Sequence, residues 1–479
     1  MPLKGYLIKE ESMETTLTKQ ELEEIRQMLA SDDPKAKSKA FRKLCMEKFE
    51  HSEELFKTRV EPNIEKYRKG DCVLRLTDEN GKPLAHQTVK VNQISHDFKY
   101  GANLFLLDEF QTEEENQKYR DTFYRYFNLA TVPFYWAELE PEQDKPRYAA
   151  DSYKIHRRPA PDLCVDYCNE KGITPKLHCL FYDKFIPAWL PKQDEAEMKR
   201  LYEKRFAEIA ERYSGKMYEF EVTNELLDEW KWDAQSILCS KKDTPLWAYE
   251  LARKYFPNEK LVINESNRTP EIGDQDYRSP YYMFIENLLL KGAPIDKIGI
   301  QNHIFCSTRY RQEDVIWNYL QYFDPEKLLD GLGYLAEFGK PLEITEITIP
   351  TLGEGEEAEQ LQADLLRNLY RLWFSVPSME TIVYWNTVEG MAYRRPDGAS
   401  DENRVRGGLF HRDLSPKAAA LEIKRLFAEE WHTETELVTD ENGFVSFRGF
   451  YGDYEATVAQ KTLSFGIHKN NSTQQNLTV

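Results

Sequence analysis

MYEFEVTNE, residues 217–225, climbs through aromatic and β-branched residues to an amide and a carboxylate at its end, Asn224 and Glu225. A short apolar run of this kind is the pattern of a buried strand. PLEITEITI, residues 341–349, repeats it and presents Glu346 at the matching point. Six further runs share the character: FKYGANLF (98–105), FNLATVPFYW (127–136), TPKLHCLFY (174–182), KLVINE (260–265), KIGIQNHIF (297–305) and TIVYWN (381–386). Between them lie stretches such as EAEMKRLYEKRFAEIAERY (195–213) and AEQLQADLLRNLYRLWFS (358–375), with helical spacing and charge on one side. Eight strand–helix units predict an α/β fold, a (β/α)8 TIM barrel over residues 97–430, with function at the C-terminal strand ends.

The flanks read differently. Residues 11–60 are rich in Glu, Lys, Leu and Met, which predicts one or two amphipathic helices on the outside of the barrel, in an N-terminal helical extension over 1–66. CVLRLTDENGKPLAHQTVKVNQISH (72–96) alternates around a turn at 79–83 and predicts a β-hairpin. ETELVTDENGFVSFRGFYGDYEATV (434–458) offers three more short runs. Neither set is large enough to fold alone, so accessory strands at 67–96 and 431–479 are expected to complete one small β-sandwich. The closing HKNNSTQQNLTV (468–479) is polar and is expected to fray.

Composition removes several classes. Apolar residues make up 41% of the 479, enough for a substantial core. A net charge of -18, with basic residues dispersed among acids, argues against nucleic acid as a partner. No apolar run is long enough to cross a membrane, and the opening MPLKGYLIKEESMETTLTKQ lacks the apolar core of a secretory signal, so a cytoplasmic location is expected. Seven cysteines without paired spacing read as reduced structural thiols, with no metal and no cofactor implied. The sequons Asn267-Arg268-Thr269 and Asn470-Asn471-Ser472 would matter only on a secreted chain. Nothing in the sequence fixes an oligomeric state.

The strand ends gather Asn103, Trp136, His178, Asn224-Glu225, Asn264-Glu265, Gln301, His303, Glu346 and Trp385-Asn386. Two carboxylates without a ligand cluster suit glycosidic hydrolysis, in which one group protonates the leaving oxygen and the other attacks or activates water. Trp136, Trp385 and Tyr393 offer flat faces for sugar rings, and the amides can read hydroxyls. For any one aromatic core packing is the more common explanation; the combination points to a carbohydrate substrate.

Taken together these residues resemble glycoside hydrolase family 10, the endo-β-1,4-xylanases, across the central barrel. Thr223-Asn224-Glu225 resembles the family's strand-four acid/base motif, Ile344-Thr345-Glu346 its strand-seven nucleophile motif, and Gln301-Asn302-His303 its strand-six Gln-x-His. His178 and Trp385 stand where the strand-three histidine and strand-eight tryptophan would, and Asn128, Thr131, Glu140 and Pro141 echo the strand-two region. The resemblance implies a retaining mechanism with Glu225 as acid/base and Glu346 as nucleophile. It further implies that Asn224 holds the sugar 2-hydroxyl, and that His303 bonds Glu346 and keeps it ionised. Substrate contacts are expected from Asn103, Trp136, His178, Tyr182, Asn224, Gln301, His303, Trp385 and Tyr393.

The chain also departs from the pattern. Thr131–Trp136 is two residues shorter than the family segment and lacks its Glu, Asn and Lys; Tyr182-Asp183-Lys184-Phe185 replaces Trp-His-Ser-Gln; Thr348 replaces an Asp; and Tyr393 replaces a Trp. The expected activity is cleavage of β-1,4-xylosidic bonds in xylan-derived oligosaccharides. The alternatives are an exo-acting β-glycosidase on decorated oligosaccharides or glycosides, and a carbohydrate-binding protein without turnover. A Schiff-base barrel would need a lysine at a strand end, for which Lys176 is the best candidate.

Overall fold

The computed structural model describes residues 15–227, 234–266, 269–305, 312–395, 398, 400–471 and 473–479. Cys306, the sequon residues Asn267, Arg268 and Ser472, and residues 1–14 of the opening segment lie outside them. Helix α1 (Lys19–Ala30) starts at a capping box, where the Thr18 hydroxyl and the Glu21 carboxylate satisfy each other's backbone N–H groups. Helix α2 (Pro34–Glu50) is capped by Asp33, with Pro34 in its first turn. Leu22 and Ile25 of α1 and Phe41, Leu44 and Phe49 of α2 join the barrel's hydrophobic core, Phe41 against Tyr319 at 5.3 Å.

Strands β1 (Lys69–Thr77) and β2 (Thr88–Gln93) follow. The barrel strands are β3 (Lys99–Asn103), β4 (Leu129–Pro133), β5 (Thr174–His178), β6 (Glu219–Asn224), β7 (Lys260–Glu265), β8 (Lys297–His303), β9 (Leu342–Thr348) and β10 (Met379–Tyr384). They close in sequence order, β10 pairing back onto β3. The eight strands fall on the eight runs expected. Amphipathic helices such as Glu195–Tyr213 and Glu356–Ser375 wrap the outside.

After the barrel come β11 (Glu434–Val438), β12 (Phe444–Phe450), β13 (Gly452–Val458), β14 (Lys461–Ile467) and β15 (Gln474–Thr478). They form two sheets with β1 and β2, in the orders β12-β1-β15 and β11-β2-β13-β14, around a separate core containing Leu74, Val91, Tyr454 and Phe465. Two expectations are corrected. The 72–96 segment is no hairpin: an isolated bridge joins Thr77 to Pro83 across the turn, but β1 and β2 lie in different sheets and meet through the side chains of the core between them. The polar C-terminus does not fray away, because β15 lies parallel to β1 from Val73–Gln474 to Thr77–Thr478. An edge strand needs only its backbone hydrogen bonds, so polar side chains do not exclude it.

No helix among the described residues is long and apolar enough to cross a membrane. The six described cysteines are all thiols.

Candidate active site

Strand alternation alone would aim Thr223, two residues after Glu221, into the barrel. Instead the β6–β7 register shifts between Glu221 and Thr223. Thr223 turns outward to the Tyr249 hydroxyl at 3.2 Å on helix Thr244–Tyr255, and Asn224 turns inward. A second shift, between β8 and β9, sets Gln301 beside Glu346. Bulges of this kind re-aim side chains at barrel mouths. Glu225 follows with φ of 53°, left-handed for a residue with a Cβ, a strain that the surrounding bonds must hold. Its backbone N–H donates to the Asn264 carbonyl, and those of Leu226 and Leu227 donate to the Glu265 carboxylate at 2.8 and 3.1 Å.

The two carboxylates meet through one amide. Gln301 Nε2 lies 3.1 Å from Glu225 Oε1 and 3.1 Å from Glu346 Oε1. Those two oxygens are therefore separated by no more than twice that distance. The Tyr182 hydroxyl donates to Glu225 Oε2 at 2.6 Å, fixing the carboxyl from its other side. Asn264 Nδ2 donates to Glu346 Oε1 at 2.9 Å and to Asn224 Oδ1 at 2.8 Å, while its own oxygen accepts from Thr345. With Asn224 Oδ1 taken, the N–H groups of Asn224 are left for a ligand.

Glu346 is 4% exposed, and burial drives its pKa well above the usual carboxylate value. The Glu221 and Glu225 charges add to that shift; His178 and the Asn264 bond oppose it. His303 Nε2 lies 3.2 Å from Glu346 Oε2, as the resemblance implied, but burial lowers the His303 pKa, so its ring is a neutral donor. Its Nδ1 sits 3.0 Å from the Thr348 hydroxyl. A hydroxyl can donate to Nδ1, which leaves the proton on Nε2, facing Glu346. His303 thus acts on Glu346 as a hydrogen-bond donor, which favours the carboxylate, while the larger electrostatic pull toward the ionised form comes from His178. Burial opposes charge on His178, and the adjacent Glu221 outweighs it, so its pKa is raised.

Below the site, Lys176 makes ion pairs with Glu219, Glu221 and Glu343, and Lys297 pairs with Glu219 and Glu343, all buried. Two lysines face three glutamates, and Glu221 is also bonded to His178, whose pKa it raises. Lys176 is therefore a fixed cation held above its usual pKa by those carboxylates, not a Schiff-base amine. Among the described residues, the one group that could gather around an ion is His178, Glu221 and Glu346. His178 Nδ1 and Glu221 already share a direct hydrogen bond, which leaves no room for an ion between them.

A cavity of about 640 Å³ opens over both carboxylates. Asn224, Glu225, Gln301, His303, Glu346, Tyr182, Trp385 and Tyr393 all line it. Three expected contacts do not. Trp136 turns away, its indole N–H bonded to Glu140 and its ring against Tyr202 at 4.7 Å. It opens the short helix Trp136–Leu139 after β4, on the side where Phe134 packs on Tyr213. Tyr135 takes the inward place instead. His178 lies behind Tyr135, whose hydroxyl occupies Nε2 at 2.9 Å. Asn103 is buried with neither amide atom bonded, and Phe105 lines the cavity in its stead, 5.1 Å from Trp385.

The model of glycosyl hydrolase family 10 matches residues 94–425. Endo-1,4-beta-xylanase 1 of Arabidopsis thaliana is 24% identical over 434 residues, matched along 86% of this chain and 39% of its own. Beta-1,4-xylanase of Dictyoglomus thermophilum is 23% identical along 55% of this chain and 73% of its own. The chain spans less than half the length of the first curated relatives it matches. Among solved structures, native xylanase 10B from Thermotoga maritima superposes with a TM-score of 0.53 at 20% identity, covering 70% of this chain and 96% of that one, a likeness of fold.

Proposed function

The chain belongs to glycosyl hydrolase family 10, and on that premise we propose that it hydrolyses β-1,4-xylosidic bonds in xylan-derived oligosaccharides by double displacement. Glu346 attacks the anomeric carbon as Glu225 gives its proton to the leaving oxygen. The resulting ester on Glu346 is then cleaved by a water whose proton returns to Glu225. The observation that carries this reading is Gln301 Nε2 touching both carboxylates at 3.1 Å. It brings their facing oxygens within twice that distance of each other, so both carboxyls address one glycosidic bond, and the double displacement follows the family. Asn224, with its oxygen engaged by Asn264, offers N–H groups to the 2-hydroxyl, a bond that tightens as the transition state forms.

Xylohexaose tests the proposal, with products followed by chromatography and their anomeric form by proton NMR. Internal cleavage giving β-configured products, absent in Glu346→Ala, is the expected result. Products of the α-anomer would overturn the retaining mechanism. Stepwise loss of single sugars would favour the second reading, exo action, for which the aromatic wall of Tyr135, Phe185 and Tyr393 beside the site is the supporting observation.

A further inference from the structure

Tyr135 stands at the catalytic centre with no part in the steps above. It follows β4 and precedes the short helix Trp136–Leu139. The backbone is fixed on both sides of it: the Phe134 N–H donates to the His178 carbonyl at 2.6 Å, and the Leu139 N–H to the Tyr135 carbonyl at 2.9 Å. Its ring meets Phe105 edge-on at 5.8 Å and Phe185 at 4.8 Å. The Arg158 guanidinium, paired with Glu138, lies 4.1 Å from the ring centre. So held, the side chain keeps one freedom, the direction of its hydroxyl hydrogen.

That direction is set from behind. Burial opposes charge on Glu221, but Lys176 and His178 outweigh it and hold the carboxyl below its usual pKa, so Glu221 accepts the proton of His178 Nδ1. His178 is held in its charged form by Glu221 against burial, so Nε2 also carries a proton and donates to the Tyr135 oxygen across 2.9 Å. Burial keeps the phenol itself un-ionised, its pKa well above the usual value. The Tyr135 O–H is thus a spare donor: among the described residues its hydroxyl has no bond but that with His178. It lines the cavity over both carboxylates, within the fields of Glu346 and Glu225. A donor in an aromatic wall is costly to leave without an acceptor, and an imidazolium bonded to its oxygen strengthens it.

The substrate supplies the acceptor. In a β-1,4-linked xylose unit, carbons 1 and 4 are taken up by glycosidic bonds, and hydroxyls remain at 2 and 3. The 2-hydroxyl is assigned to Asn224 above. We propose that Tyr135 is a further catalytic residue, whose hydroxyl donates to the 3-hydroxyl of the sugar at the cleavage point. The proposal rests on the xyloside reading above and adds a residue to it. His178, whose Nε2 Tyr135 covers, is then a positioning residue that acts on the sugar through that hydroxyl.

The test sets the wild type against Tyr135→Phe on 4-nitrophenyl β-xylobioside and on its analogue lacking the 3-hydroxyl of the unit that bears the nitrophenyl group. On the intact compound Tyr135→Phe should lower kcat/KM at least about tenfold, because a bond is lost and a sugar hydroxyl is left unpaired. On the 3-deoxy compound the same substitution should cost less than about threefold, because the bond is already gone. Each protein is compared with itself across the two compounds, so a smaller folded fraction does not alter the ratio. If Tyr135→Phe does not fold, the wild type decides: the 3-deoxy compound should fall at least about tenfold below the intact one, with the 3-fluoro compound, which can still accept, between them. Absence of that order overturns the proposal. Equal losses from Tyr135→Phe on both compounds would leave the residue only a support for His178 and overturn it too, while hydrolysis of the intact compound keeps the parent reading. Hydrolysis of neither xylohexaose nor the xylobioside overturns both.

Discussion

Glu346 is an ionisable carboxyl in a place where burial favours its neutral form. Its folded-state pKa lies above the unfolded one, so the native state binds that proton more tightly. The stability it contributes is complete below the unfolded value of 4.5 and is lost as pH rises through the window above it. Glu346→Gln should therefore melt above the wild type at pH 7.5, with the gap closing at pH 4, while activity falls at least about a thousandfold because a transition-state partner is gone. Differential scanning fluorimetry across pH checks the first, and a gap that does not narrow in acid would refute it. Thr348 tunes the same group from behind. Thr348→Asp would place an anion on His303 Nδ1, favour the imidazolium and draw the Glu346 pKa down. The acid limb of the kcat/KM profile should then move to lower pH. Glu225→Ala makes a different prediction: its loss should be far smaller on an aryl xyloside with a good leaving group than on xylobiose, and equal losses would deny it the acid role.

At the scale of strands, the catalytic aim depends on two register shifts and the space they need. In β8, a Cβ on Gly299 would come within 2.6 Å of the Thr345 methyl and 2.8 Å of the Ile263 carbonyl. Gly299→Ala should therefore displace Thr345, loosen Asn264 and cost activity at least tenfold by misplacing Glu346 by a fraction of an ångström. The ion network under the site is the other support. Lys176→Met leaves three carboxylates facing one lysine and should cost about 3–5 kcal/mol in urea unfolding, since a buried pair broken on one side leaves charge uncompensated. These same features mark where the sequence stops being legible. Apolar runs announced all eight strands, and the paired carboxylates announced the chemistry, because both follow from local pattern. Trp136 was misplaced and Tyr135 missed because 127–136 was read as one strand ending at Trp136, whereas β4 stops at Pro133 and Trp136 opens a short helix. Glu221 went unnoticed because its role exists only through Lys176 and His178, which are distant in sequence. The Thr223 inversion depends on a bulge, and no residue type announces that. The hairpin expected at 72–96 failed similarly: a turn signal says that the chain reverses, not that both arms stay in one sheet.

Over the whole molecule, the question is whether the sandwich is a separate unit or part of the barrel's wall. Phe374, from the last long barrel helix, stacks on Trp431 at 4.0 Å and lies 6.3 Å from Phe450 of β12. Phe427 joins them, stacked on Tyr100 of β3 at 3.8 Å, and His96 donates from its ring to the Phe427 carbonyl. Arg68, just before β1, lies between Phe98 and Phe374 at 4.9 and 5.0 Å and donates to the Phe374 carbonyl. Phe450 itself belongs to the barrel's core cluster although its strand belongs to the sandwich. Since an aromatic pair of this kind adds about 0.5–1.5 kcal/mol beyond the area it buries, the shared cluster couples the two bodies by several such increments in addition to its buried area. Calorimetry should then record one cooperative transition, with a calorimetric enthalpy equal to the van't Hoff value. Trp431→Ala, which opens the cluster at its centre, should lower that transition and begin to split it, while leaving the ratio of activities between substrates untouched. Two well-separated transitions in the unmodified protein would instead make the sandwich an independent appendage.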